Sequence, residues 1–243
     1  MNNKKKCIVI PCYNVVNHID SVINKIDFKI IDKVFIIDDC CPQNTGRYLK
    51  NKNKNKKIDI TILKKNLGVG GATKIGFKKA LKFKFDIVFK IDGDGQHDPL
   101  DIVKFIKPLL NDKINFCKGS RFINKLDRNK IPRFRYFGNI FLTLLTRINC
   151  KNFALTDAVN GFLAIKTSLL RKIDLNKVSS NFFFEEDLLF QLSFHKIYIK
   201  EIPIKTIYHK TDNSNLSPLK TVIPFLFNHL KNFLFRIYVE TIK

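Results

Sequence analysis

The chain has 243 residues, 45% hydrophobic and 27% charged, proportions that exclude a disordered chain and a multi-span membrane protein. Lys and Arg outnumber Asp and Glu by 44 to 21, and the formal charge of +23 suits contact with polyanions such as nucleic acid, anionic lipid headgroups or phosphorylated substrates. The lysines are scattered, as biased residue usage alone would leave them, apart from KNKNKNKK at 50–57, which reads as a solvated loop.

The six cysteines show no CxxC pair and no His/Cys metal spacing, and the start MNNKKKCIVI has no small-residue cleavage site. A reducing cytoplasm is the expected setting. KCIVIPCYN (6–14) predicts a buried strand ended by proline and a turn residue. Residues 15–27 carry Val15, Ile19, Val22, Ile23 and Ile26, a helical stripe. KVFIIDDCC (33–41) predicts a second apolar strand that stops in acidic residues.

The alternation continues with helix QNTGRYLKNK, strand DITILKK, the turn NLGVGG, and a helix beginning near Ala72. Strand DIVFKIDGDG, helix PLDIVKFIKPLLN and strand INFCKGSRF follow. Strands alternating with helices of about 10 to 15 residues predict an α/β fold, a mainly parallel central sheet with helices on both faces. Ligands in such sheets bind outside the carboxyl ends of the strands, here PCYN, DDCC and DGDGQHD.

After residue 122 the pattern changes to a basic, aromatic loop and helix (123–148), a turn, strand and helix (156–170), and a loop entering a helix (181–196). YIKEIPIKTIYH reads as a strand pair or a bent strand. The tail from Ser217 mixes Phe and Leu with Lys, His, Asn and Arg too often to span a membrane, and fits an interfacial amphipathic helix or ordinary core packing. The expected organisation is one domain over 1–216, whose second half (123–216) departs from the alternation of the first (1–122), and a helical tail over 217–243.

The chemistry concentrates in FKIDGDGQHDP (89–99). A strand ending in Asp92-Gly-Asp94 sets two carboxylates on one side of a tight turn, the protein's share of an Mg²⁺ or Mn²⁺ site completed by phosphate oxygens and water. Asp98, followed by Pro99 and a helical stripe, reads as a helix N-cap. Asp38 and Asp39 either meet a nucleobase or ribose or cap a helix. NLGVGGATKIG has neither the GxxxxGK[ST] nor the GxGxxG spacing, so its glycines, Gly70 among them, are expected to let the next helix pack beside a nucleotide pocket. The five histidines form no ligand set.

IVIPCYN, FIIDDCC, NLGVGGATKIGF, KIDGDGQHDP, GSRF, NGFLAI and FFFEEDLLFQL follow one another in the order and intervals of the family 2 glycosyltransferases, inverting enzymes of the GT-A fold. DGDGQHDP followed by EIPIKTIY most resembles the subgroup of dolichyl-phosphate mannose synthase and bacterial polyprenyl-phosphate hexosyltransferases. The resemblance implies that Pro11, Tyr13 and Asn14 lie against the nucleotide, with Val15 where many members have glutamate. It implies that Asp39 holds the base, Asp92 and Asp94 the metal, and that Gln96 touches metal or sugar phosphate. Asp187 aligns with the usual catalytic base, with Glu186 beside it. Arg121, Arg133 and Arg135 resemble arginines that clamp a lipid phosphate, and Lys210, in a loop over the site, is expected to reach a phosphate.

The function so implied is metal-dependent, inverting transfer of a hexose from a GDP-mannose or UDP-glucose type donor to a polyprenyl phosphate, at the inner face of a membrane to which the protein attaches peripherally. A sugar hydroxyl in cell-surface polysaccharide is the alternative acceptor. A basic nucleic-acid-binding module is the remote one, disfavoured by carboxylates at the strand ends, so nucleic acid is not an expected partner.

Overall fold

Seven strands form one sheet in the order β3-β2-β1-β4-β6-β5-β7. They are β1 (Lys6–Cys12), β2 (Lys33–Asp38), β3 (Ile58–Ile62), β4 (Ile87–Lys90), β5 (Ile114–Ser120), β6 (Leu163–Lys166) and β7 (Tyr198–Pro203). The helices are α1 (Ile19–Asn24), α2 (Thr45–Lys52), α3 (Gly68–Lys82), α4 (Ile102–Leu110), α5 (Arg133–Cys150), α6 (Thr167–Leu170), α7 (Phe184–Leu192) and α8 (Pro218–Thr241). This computed structural model describes residues 4–124, 131–195, 197–205, 207 and 218–242.

The continuous apolar runs of the strands have a direct cause. Cys7 and Val9 of β1 enter one core layer with Phe35, Ile37 and Val88, while Ile8, Ile10 and Cys12 enter the opposite layer with Val34, Ile36 and Phe89. A strand buried on both faces has no polar side to alternate.

β1 pairs in parallel with β2 and β4, β2 with β3, and β5 with β7, whereas β6 runs antiparallel between β4 and β5. Strand order reverses between β1 and β4, so the crevice outside their carboxyl ends is the switch point of the sheet. Pro11 stands in this central strand without harm. The ladder to β4 ends at Val9, whose carbonyl accepts from Ile91 N–H at 3.2 Å, so two residues on there is no partner for the N–H that proline lacks.

Several boundaries differ from expectation. α1 covers only residues 19–24, with Val15 and Ile26 buried from the flanking turns. α3 begins at Gly68, four residues before Ala72. Among the described residues YIKEIPIKTIYH contributes a single strand ending at Pro203.

α5 and α8 pack together and are amphipathic in the reverse of the usual sense. α8 turns Phe225, His229, Asn232 and Arg236 inward and leaves Ile223, Phe227, Leu230, Leu234 and Tyr238 exposed. α5 buries Thr143, Thr146 and Asn149 while exposing Phe134, Phe137, Phe141, Leu144 and Ile148. Polar bonds hold the pair: Asn149 Nδ2 donates to His229 O at 3.0 Å and Arg236 Nε to Asn149 O at 3.1 Å. No helix among the described residues is long and apolar enough to cross a membrane.

Candidate active site at the β1–β4 crevice

The turn after β4 carries the Asp-x-Asp pair into the crevice. Asp94 Oδ1 accepts the Gln96 N–H at 3.0 Å, and Gln96 O accepts the Ile207 N–H at 3.1 Å, so the chain just after β7 borders the turn. Asp98 caps the following helical turn by accepting Leu100 N–H at 3.2 Å, with Pro99 at the first helical position.

Asp92 is not simply presented to solvent. Its Oδ1 lies 2.7 Å from Lys90 Nζ, and Lys90, 1% exposed, lies a further 2.7 Å from Glu185 Oε1 at the start of α7. Burial pushes the Asp92 carboxyl up, but the Lys90 ammonium, then His97 and Lys118, outweigh it and hold the group below the usual carboxylate range. The same two carboxylates hold Lys90 above its ordinary value against the downward pull of burial. Gly161 faces this pair: a Cβ there would collide with Asp92 Oδ2 and come within 2.6 Å of Lys90 Nζ.

Burial pulls His97 down to about 4, so it is neutral at pH 7 and its Nδ1 accepts the Asp92 N–H at 3.3 Å. Its 3.6 Å approach to Asp92 Oδ2 is therefore not an ion pair. The ring packs on Phe162, which makes His97 a structural support beneath the turn.

The second acidic pair divides its work. Asp38 accepts N–H groups from Cys41 at 2.8 Å and from Gly46 in the first turn of α2, the capping role. Asp39, also buried, accepts the Leu67 N–H at 2.7 Å, and burial raises its pKa against the Leu67 and Gly68 amides. Asn14 sits at φ 57 with its amide 3.1 Å from Cys41 Sγ, and Tyr13 is exposed at the crevice end of β1. The glycine turn meets protein: a Cβ on Gly70 would lie 2.5 Å from Ser179 O, and Gly71 N–H donates to Ser180 O at 2.9 Å. Gly70 thus docks the start of α3 against the segment leading into α7.

On α7 the three acids diverge. Glu185 faces Lys90. Asp187, rotated by about 200° at 3.6 residues per turn, accepts Ser179 N–H at 2.7 Å and Asn232 Nδ2 at 3.1 Å. Both oxygens of the residue that aligns with the usual base are therefore engaged away from the Asp92 pair. Burial raises Asp187 against these two bonds. Glu186 is buried with neither oxygen bonded among the described residues, and burial followed by repulsion from Glu185 lifts its pKa well up.

Arg121 is also committed. Its Nε and Nη2 donate to Asp157 at 2.7 and 2.8 Å, a bidentate pair with a carboxylate held below the usual range because Arg121 outweighs the effect of burial. Glu201 of β7 steadies the Asp157 turn by accepting Thr156 N–H at 2.8 Å and Asp157 N–H at 3.1 Å. Phe122 meets Tyr136 edge-on at 5.6 Å, which brings the end of β5 beside the first turn of α5, where Arg133 is exposed and Arg135 half-buried. Lys210 lies outside the described residues.

Sequence reasoning passed over Lys90, Lys118, Asp157 and Glu201. The available signal was a lysine inside an apolar strand in IVFKID and in NFCKGS, since a buried charge has to be paired. Among the described residues no three His, Cys, Asp or Glu side chains could together hold a metal. The donor set fits a hard divalent cation only as two carboxylates joined by ligand oxygens.

An α/β sheet with an Asp-x-Asp turn after β4 and a buried aspartate after β2, on either side of β1, is the architecture of a GT-A nucleotide-diphospho-sugar transferase. The profile of the family described as Glycosyl transferase family 2 matches residues 7–174, and the chain belongs to that family and is a glycosyltransferase. It is 32% identical over 221 residues to the UDP-N-acetylglucosamine--dolichyl-phosphate N-acetylglucosaminyltransferase of Methanococcus voltae, covering 86% of this chain and 88% of the other. It is 22% identical to the undecaprenyl-phosphate mannosyltransferase of Micrococcus luteus, covering 86% of each. Crystal structures of glucosyl-3-phosphoglycerate synthase from Mycobacterium tuberculosis, one with Mn²⁺ and UDP, share the fold at a TM-score of 0.65 and 16% identity, over 96% of this chain and 80% of that one.

Proposed function

We propose that this enzyme transfers a sugar from a nucleoside diphosphate donor to a polyprenyl phosphate at a membrane surface. The observation that carries the reading is the reversed amphipathicity of α5 and α8, which sets a broad apolar face beside Arg133 and Arg135. A soluble acceptor gives no reason to expose Phe134 and Phe137 at 73% and 67%. An interfacial helix pair seats such side chains among acyl chains and leaves arginines at headgroup level. The relatives named for dolichyl-phosphate and undecaprenyl-phosphate transfer support the same acceptor class.

The α7 carboxylates favour a phosphate over a hydroxyl. An attacking hydroxyl must lose a proton to a base, whereas a lipid phosphate is already anionic and needs only positioning. Asp187 is bonded to Ser179 and Asn232, Glu185 is paired with Lys90, and Glu186 is buried with a raised pKa.

At the crevice, Asp39 takes a nucleobase or ribose donor group, and Tyr13 and Asn14 border the nucleotide. Asp94 and Asp92 are the oxygen ligands for Mg²⁺ or Mn²⁺, which when bound neutralises charge gathering on the departing diphosphate. Arg133 and Arg135 orient the acceptor phosphate for attack on the anomeric carbon from the face opposite the leaving group, which inverts the configuration. Arg121, locked by Asp157, positions the end of β5 beside them.

The reading is tested by incubating the protein with radiolabelled UDP- and GDP-sugars, Mn²⁺ and membranes containing polyprenyl phosphate, then extracting with organic solvent. Label in the organic phase supports it. Label confined to water-soluble saccharide defeats it.

A further inference from the structure

We propose that Lys90 is an internal counter-ion that prevents the Asp92 and Asp94 turn from holding a divalent cation by itself, so that the cation is retained only together with a nucleoside diphosphate. The inference rests on the reading of these two aspartates as metal ligands and concerns how that site is regulated.

The geometry is specific. Lys90 Nζ sits 2.7 Å from Asp92 Oδ1 and is also held by Glu185 Oε1 of α7, again at 2.7 Å. Gly161 closes the space around the pair, since even a Cβ at that position would come within 2.6 Å of the ammonium. Lys118, fully buried with its Nζ donating to Asn160 O, adds a second positive charge acting on Asp92. A bare dication entering the turn would therefore meet two carboxylates with a fixed cation 2.7 Å from one of them.

A diphosphate changes that balance. It brings its own anionic oxygens, completing the coordination that two side chains cannot supply and outweighing the repulsion from Lys90. Glu185 keeps the ammonium in place whether or not Asp92 engages the metal, because it lies in a separate element, α7, and not in the turn.

The experiment measures free Mn²⁺ by electron paramagnetic resonance with protein alone, with protein plus UDP or GDP, and with each nucleotide alone, whose own uptake of Mn²⁺ is subtracted. Wild type is expected to bind Mn²⁺ at least about tenfold more weakly alone than with one of the nucleotides, and Lys90→Met to raise the affinity for Mn²⁺ alone by about tenfold or more, the scale of removing one nearby unit charge. Lys90→Gln, which keeps a hydrogen-bond donor beside the two carboxylates while removing the charge, is expected to show the same gain. The proposal is overturned if wild type binds bare Mn²⁺ as tightly as it does with nucleotide, or if neither variant binds bare Mn²⁺ more tightly. Asp94→Asn in the same titration reports on the metal reading itself: retention of Mn²⁺ with nucleotide by that variant would remove the ligand assignment independently of Lys90.

Discussion

Asp187 Oδ1 and Asn232 Nδ2 are 3.1 Å apart, a bond that joins the first turn of α7 to the middle of α8. The carboxylate that aligns with the family's usual base is thus a strut between two helices. Asp187→Asn is expected to keep transfer to a lipid phosphate within about tenfold of wild type, because removing a working base costs about 10²-fold or more. Steady-state rates at saturating acceptor decide it, and a loss of the larger size would restore Asp187 as the base.

Asp94→Ala removes one of only two side chains proposed to meet the metal. Release of nucleoside diphosphate in the presence of Mn²⁺ should fall by about 10²-fold or more, the usual scale for losing charge stabilisation at a leaving group. Undiminished turnover would show that the Asp-x-Asp turn has another purpose.

Glu186 predicts a pH effect on stability. Its pKa is raised in the folded chain, so below the unfolded value, near about 4.3, both states hold the proton and its contribution is complete. As pH rises from there towards the folded value, the unfolded state ionises first and wild type loses up to about 1.4 kcal/mol per pH unit. Glu186→Gln carries no such penalty. Urea unfolding at pH 5 and pH 7 should show the variant gaining on wild type at the higher pH, and a constant difference would mean that Glu186 is ionised in the native protein.

Gly161→Ala places a methyl group against Asp92 Oδ2 and Lys90 Nζ. Moving either breaks a buried ion pair, and the site should lose nucleotide affinity together with about 1–3 kcal/mol of stability, the range for overpacking. Calorimetric binding and thermal unfolding on the same sample test both halves. An alanine variant with wild-type binding would mean that the pair tolerates displacement.

Phe137→Asp with Phe227→Asp puts charge on the exposed faces of α5 and α8, whose phenylalanines are 67% and 68% exposed. Co-sedimentation with anionic vesicles should fall by at least about tenfold, since each buried Phe contributes roughly 1.5–3 kcal/mol. Thermal unfolding in the absence of vesicles should be unchanged. Equal sedimentation would remove the membrane reading of this face.

Much of this fold is legible in the residues because the signals are local. Apolar runs ending in PCYN, DDCC and DGDG mark β1, β2 and β4 and the ends that meet at the crevice, and the Asp98-Pro99 cap is written in two adjacent positions. The rest depends on partners far along the chain. Lys90 finds Glu185 95 positions away, and Asp187 finds Asn232 at a separation of 45. The antiparallel β6 is three apolar residues and a lysine, whose direction depends on their neighbours in the sheet. For α8, periodicity reveals two faces, but only the packed structure shows that the polar one is turned inward.

The seam between β1 and β4 parts where a backbone donor is missing. Past the bond between Ile91 N–H and Val9 O, the next β1 residue facing β4 is Pro11, which has no amide to offer. β1 therefore cannot zip further onto β4. The cleft is thus kept open by an imino acid on one lip, before any side chain reaches for a ligand.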